Sequence, residues 1–93
     1  MNTSDIDKLV MKLHGEKVRA LRKEKGLSLE ELAHRASIST SFLDEVERGK
    51  KDLTIISLLL IAFGLDLDDP SIIYSESKKV ISEYLSESKE EAK

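Results

Sequence analysis

The chain has 93 residues, the length of one small domain whose own core is marginal and gains from dimerising. Charged residues make up 35% and apolar residues 40%, a globular balance, while aromatics at 4% argue against stacking platforms for single-stranded nucleic acid. The absence of cysteine excludes disulfides and thiolate metal sites, and a net charge of −3, taken alone, counts against nucleic acid.

The charge is unevenly spread. Residues 1–66 carry 11 Lys/Arg and 11 Asp/Glu, whereas residues 67–93 carry 4 and 7. A neutral segment still binds phosphates if its bases gather on one face. The N-terminal stretch is amphipathic rather than a signal peptide, and no apolar run reaches membrane-spanning length, so the expected location is the cytoplasm. His14 and His34 have no ligand pattern around them and are expected at the surface.

Five helices are expected; one Pro, four Gly and no alternating β-branched run argue against sheet. Ser4 with Asp7 has the spacing of a capping box, and Ile6, Leu9, Val10 and Leu13 follow at helical intervals. Gly15 is expected to kink or split this segment. Val18 and Leu21 continue the apolar face to about Lys25, and Gly26 is the stop. Ser28 with Glu31 forms a second capping box before Leu32, Ala33 and Ala36. Ser39 caps a third helix carrying Phe42, Leu43 and Val46, ended by Gly49. Thr54 caps a fourth, from Ile55 to Phe63, followed by Gly64. Asp69-Pro70 starts a fifth that runs to roughly Ser88, after which the end is expected to fray. The expected division is residues 1–67, with an amphipathic N-terminal extension, and residues 68–93, a C-terminal dimerisation helix with an acidic tail.

The second and third segments have the spacing of a helix-turn-helix. Ala33 is the small residue where two helices cross, and Leu32, Ile38, Leu43 and Val46 form the inward set. Thr40, Ser41, Asp44, Glu45 and Arg48 are left on the outward face of the third helix.

On Arg22, "KGLS", "EELA" and "ERGK" in their mutual spacing, residues 15–67 resemble the phage-repressor-type (XRE, or lambda-repressor-like) helix-turn-helix family. The stretch "ERGKKDLTIISLLLIAFGLDL" also resembles the controller proteins of restriction–modification systems. The resemblance implies an all-α, five-helix lambda-repressor-like fold that binds double-stranded DNA. It implies base reading by Thr40, Ser41 and Glu45, with Asp44 nearby. It puts Ser28, Arg48, Lys50 and Lys51 at phosphates, and makes Arg22 and Glu47 a partly buried ion pair. A recognition-helix carboxylate such as Glu45 accepts a hydrogen bond from cytosine N4. Two residues depart from the family pattern: Leu29 stands for the usual Gln at the start of the second helix, and Ser37 for the usual Gly in the turn. Leu29 removes a polar contact, and Ser37 must adopt or avoid a left-handed conformation at some cost.

The fourth helix has Ile55, Leu58, Leu59 and Ala62 as the expected core stripe. Ile56, Leu60 and Phe63 form a second apolar stripe, which needs its own partner. With Ile73, Val80 and Tyr84 of the fifth helix, they are the expected interface of a symmetric homodimer. A rival explanation of the stripe is intrachain packing against the fifth helix. The functional expectation is a homodimeric transcriptional regulator, a repressor or controller at a short palindrome, with no enzymatic activity, cofactor or metal. The alternatives are a protein-interaction module that kept the fold, as in an antirepressor or accessory subunit, and an antitoxin whose C-terminal helix binds a protein partner.

Overall fold

The computed structural model describes residues 2–91, with side-chain surroundings described for residues 2–88. Its elements are α1 (Thr3–Glu24), α2 (Leu29–Ala36), α3 (Thr40–Glu47), α4 (Ile55–Gly64) and α5 (Ser71–Glu91), with no strand among the described residues. Helix α5 runs past the expected end near Ser88; the last two residues, and with them the end of the expected frayed tail, lie outside the described residues.

The helix starts follow from side-chain chemistry. Ser28 and Thr54 each cap their helix reciprocally, with Glu31 and Ser57 as the third-position partners. Ser39 accepts from the Phe42 N–H, and Asp69 accepts from the Ser71 N–H. At α1 the expected Ser4–Asp7 box is replaced: Asn2 is the cap and accepts from the Asp5 N–H. An Asn cap is as good as Ser, and it adds residues to the helix.

The first four helices all end alike. Just past each helix end one backbone N–H bonds back five positions, from Leu27 to Arg22, Ile38 to Ala33, Lys50 to Glu45 and Leu67 to Ala62. This is the Schellman closure, which needs a left-handed residue just before. Gly26 and Gly49 supply it with φ of 71° and 72°, while Ser37 and Asp66 adopt φ of 56° despite their side chains. Ser37 thus takes the strained option. Gly64 is not the stop of α4, because Asp66 has that position.

Two glycines are needed for helix proximity instead. Helix α1 is continuous through Gly15, which neither kinks nor splits it. A Cβ there would run into the Val46 carbonyl oxygen and come within 2.9 Å of the Glu47 carbonyl oxygen, so Gly15 lets α1 lie against the end of α3. A Cβ on Gly64 would meet the Leu32 side chain at 3.0 Å and the Ala36 N at 3.2 Å, which fixes how closely α4 approaches α2.

Helix α1 packs against α3 and α5, and α2 against α3 and α4. The core between them is built from Val18, Leu27, Leu32, Ala33, Ala36, Leu43, Leu58, Ile61, Ala62, Leu65 and Ile73. Three expectations for this region are corrected. Ile55 and Leu59 are exposed rather than core, and Ile61 and Leu65 take their place. Leu60 is half-buried against the core instead of lying on an outer stripe. Ile73 is 2% exposed and belongs to the chain's own core, so it cannot meet a second chain. The cause is the composition of α4. A helix apolar nearly all round has no phase in its periodicity, and only the partners decide which side is inward.

Candidate nucleic-acid interface

The α2–turn–α3 unit carries the outward residues. Ser41 is exposed, and Thr40, Asp44 and Glu45 are half-exposed on α3. Ser28 is exposed at the start of α2, Arg48 caps α3, and Lys50 and Lys51 follow in the loop. Arg48, Lys50 and Lys51 thus lie at the C-terminal end of α3, whereas Ser28 lies at the start of α2. Leu29 packs on the core rather than facing out.

Three acids lie on α3, and each has a basic partner. Arg48 Nη1 donates to Asp44 Oδ2 at 3.1 Å one turn away. Lys51 Nζ lies 3.8 Å from Glu45 Oε1. Arg22 on α1 grips Glu47 with two parallel bonds, Nε to Oε2 at 2.7 Å and Nη2 to Oε1 at 2.9 Å. The third arm of Arg22 donates to the Leu27 carbonyl at 2.9 Å, in the turn that leads into α2. The side chains of Arg22 and Glu47 are 12% and 5% exposed. The bonds to Glu47 hold the guanidinium above its already high ordinary pKa, which keeps the cation charged. Glu47 is thus committed inside the fold, and its charge is not offered outward.

The other two pairs are at the surface, where such pairs contribute about 0–1 kcal/mol and exchange partners readily. Arg48 and Lys51 each keep unused donors, so each can meet a phosphate while staying beside its carboxylate. Among the described residues Lys50 has no carboxylate within ion-pair distance. Its position is also unusual within this chain. At the other three helix ends the residue closing the turn is Leu27, Ile38 or Leu67, each packed on the core. An apolar residue is what that closure favours. At the end of α3 it is an exposed lysine, held by its own N–H on the Glu45 carbonyl at 2.8 Å.

The apolar surface lies elsewhere, on α4. Ile55, Ile56, Leu59 and Phe63 are 70%, 68%, 40% and 78% exposed. Of the sequence-expected interface, Ile56 and Phe63 are on this face, while Val80 and Tyr84 are half-buried and line a shallow cavity with Ile6 and Leu9 of α1. Helix α5 is therefore a partner of α1 rather than a cover for α4.

One cluster had no signal in the sequence. His14, expected at the surface, is largely buried between Asp52 and Ser77, which are 38 and 63 positions away along the chain.

Residues 18–69 match the helix-turn-helix family HTH_3. The chain belongs to that family. It is similar to an uncharacterized HTH-type transcriptional regulator, y4dJ, of Sinorhizobium fredii, with 36% identity over 67% of this chain and 80% of that protein. It is also similar to the immunity repressor protein of Bacillus phage phi105, with 33% identity over 83% of this chain and 54% of the repressor. Among solved structures, the restriction–modification controller protein C.AhdI from Aeromonas hydrophila superposes with a TM-score of 0.66 at 33% identity, over 69% of this chain and 96% of that one. This helix-turn-helix chain therefore has the DNA-binding fold of transcriptional regulators. Among its described residues, no helix is long and apolar enough to cross a membrane.

Proposed function

We propose that this helix-turn-helix protein is a sequence-specific regulator that occupies a short, near-palindromic operator in double-stranded DNA as a homodimer. The observation that carries this reading is the neutralised outer face of α3. Asp44, Glu45 and Glu47 are each matched by a nearby base, and Lys50 is exposed at a helix end where an apolar residue would pack better. An acidic helix of this kind can approach a polyanion. Thr40, Ser41 and Glu45 would then read base edges, with Asp44 kept turned toward Arg48. Ser28, Arg48, Lys50 and Lys51 would supply the salt-sensitive phosphate contacts.

The dimer rests on the exposed face of α4. On α4 alone, four large apolar side chains are left in water by the single chain. Burying one of them is worth roughly 1.5–3 kcal/mol, so a second copy of the same face is the natural cover. The interface is accordingly Ile55, Ile56, Leu59 and Phe63, a set that drops Leu60, Ile73, Val80 and Tyr84 from the sequence expectation and adds Ile55 and Leu59. Two recognition helices would then lie about one DNA turn apart, roughly 34 Å, which calls for two half-sites. The similarity to a phage immunity repressor and to a restriction–modification controller supports this class of function.

Selection from a random duplex library at low and moderate salt tests the reading. The expected result is a retained palindrome whose binding weakens steeply with salt. A library that passes through unretained even at low salt would point instead to an interaction module built on the same fold.

A further inference from the structure

The imidazole of His14 joins three elements at one point. On one side, Nδ1 lies 2.7 Å from Oδ1 of Asp52, in the loop between α3 and α4. On the other, Nε2 lies 2.7 Å from Oγ of Ser77, a buried serine of α5. A carboxylate only accepts, so the hydrogen between His14 and Asp52 belongs to Nδ1. The Ser77 hydroxyl is anchored in turn, 2.9 Å from the Tyr74 carbonyl. The same Asp52 oxygen also accepts the Leu53 N–H at 2.8 Å.

These bonds close a tether around two exposed lysines. Upstream of them, the Glu45 carbonyl accepts from the Lys50 N–H at 2.8 Å and the Lys51 N–H at 3.3 Å. Downstream, Asp52 is fixed to α1 through His14 and to α5 beyond it. Without the second anchor, Lys50 and Lys51 would hang from the end of α3 alone. The pairing has an electrostatic consequence as well. A free Asp52 carboxylate beside the lysines would compete with phosphate for them; His14 draws it toward α1.

We propose that His14 is a positioning residue for the Gly49–Asp52 segment, acting through Asp52, and that it ties this segment to α5 through Ser77. This rests on the DNA reading given above and deepens it: the lysines touch phosphate, while His14 touches only protein. A fixed segment holds a lysine where it meets its phosphate and lowers the ordering cost of binding, so the gain is one salt-sensitive contact and affinity common to all duplexes.

The test follows duplex affinity across a salt series. Asp52→Ala is expected to weaken binding about three- to tenfold and to make the log–log salt slope shallower by about one, the signature of a lost phosphate contact. Base preference should stay as in the wild type. His14→Ala should also give a shallower slope, with a larger loss because it frees the Asp52 carboxylate, and the double variant should return to the level of Asp52→Ala. His14→Asn places an amide N–H near the Nδ1 position and should recover the slope. His14→Gln reaches toward Ser77 instead and should not, which separates positioning from mere packing. Relaxation of the Lys50–Leu53 amides in the free protein gives an independent reading, with faster motion expected in Asp52→Ala. Should His14→Ala fail to fold, Asp52→Ala on its exposed loop decides alone. An unchanged slope, or unchanged amide relaxation, in Asp52→Ala overturns the proposal. A wild-type chain that binds no duplex at low salt sinks the DNA reading instead, and the relaxation data still decide the tether.

Discussion

Arg22 and Glu47 show how one pair settles both a fold and a surface. The bidentate bond ties α1 to α3, and the third arm of Arg22 holds the Leu27 carbonyl at the start of the next turn. Removing one partner leaves a largely buried charge alone. Glu47→Ala should lower unfolding stability by about 2–3 kcal/mol, less than a fully buried pair would cost because Arg22 keeps an edge in water. Chemical denaturation measures this, and Glu47→Ala combined with Arg22→Met should recover part of the loss. Gly15→Ala is expected to be as damaging for a different reason. Its new methyl meets the backbone of Val46 and Glu47, which cannot swing aside, so overpacking of about 1–3 kcal/mol or more follows. The ion pair was legible because Arg22 and Glu47 fall where the resembled family makes such a pair. The role of Gly15 was not, since a glycine inside a helix reads as a weak point until the helix lying against it is known. His14 was illegible for the same reason, its partners being distant along the chain.

Helix ends were the most readable elements. Caps are local chemistry, and Ser28, Ser39, Thr54 and Asp69 do at their positions what a Ser, Thr or Asp does before a helix. Two carboxylates at these caps, Glu31 and Asp69, give the stability a pH signature. The hydrogen bond from the Ser28 backbone, followed by that from its hydroxyl, holds Glu31 below its ordinary range, and the Ser71 hydroxyl and N–H do the same for Asp69. A depressed folded value means stability that is present above the ordinary carboxylate range and lost as pH falls through the folded value. Urea midpoints of the wild type and Glu31→Gln should therefore differ at neutral pH and converge in acid. The turn between α2 and α3 gives a second expectation. Ser37 sits at φ 56° where glycine would be unstrained, so Ser37→Gly should raise stability by about 1 kcal/mol, seen as a higher thermal midpoint. Helix α4 was the least readable element in phase. Its residues are apolar on nearly every side, and the true inward line through Leu58, Ile61, Ala62 and Leu65 emerges only once α2 is in place.

At the scale of the whole molecule, the five helices were legible because most carry their own starts and stops, the exceptions being the start of α1 at Asn2 and the stop of α4 at Asp66. The placement of α5 was not. It packs on α1, and its Ile73 completes the core, leaving the face of α4 with Ile56 and Phe63 uncovered. Phe63→Lys should leave the single chain folded, since that side chain is exposed, and should shift sedimentation from dimer to monomer. Retained dimers would place the contact on another face. DNA affinity at the palindrome should fall in the same variant, while binding to a half-site should not.

Duplex DNA should meet α3 and the lysines that follow it, with the acids of α3 already neutralised. Amide chemical shifts recorded while a selected duplex is added test this most directly. The largest changes should fall on Thr40, Ser41, Glu45, Lys50 and Lys51, and should fade as salt is raised. Changes confined to the α4 face, with α3 and its loop silent, would contradict it.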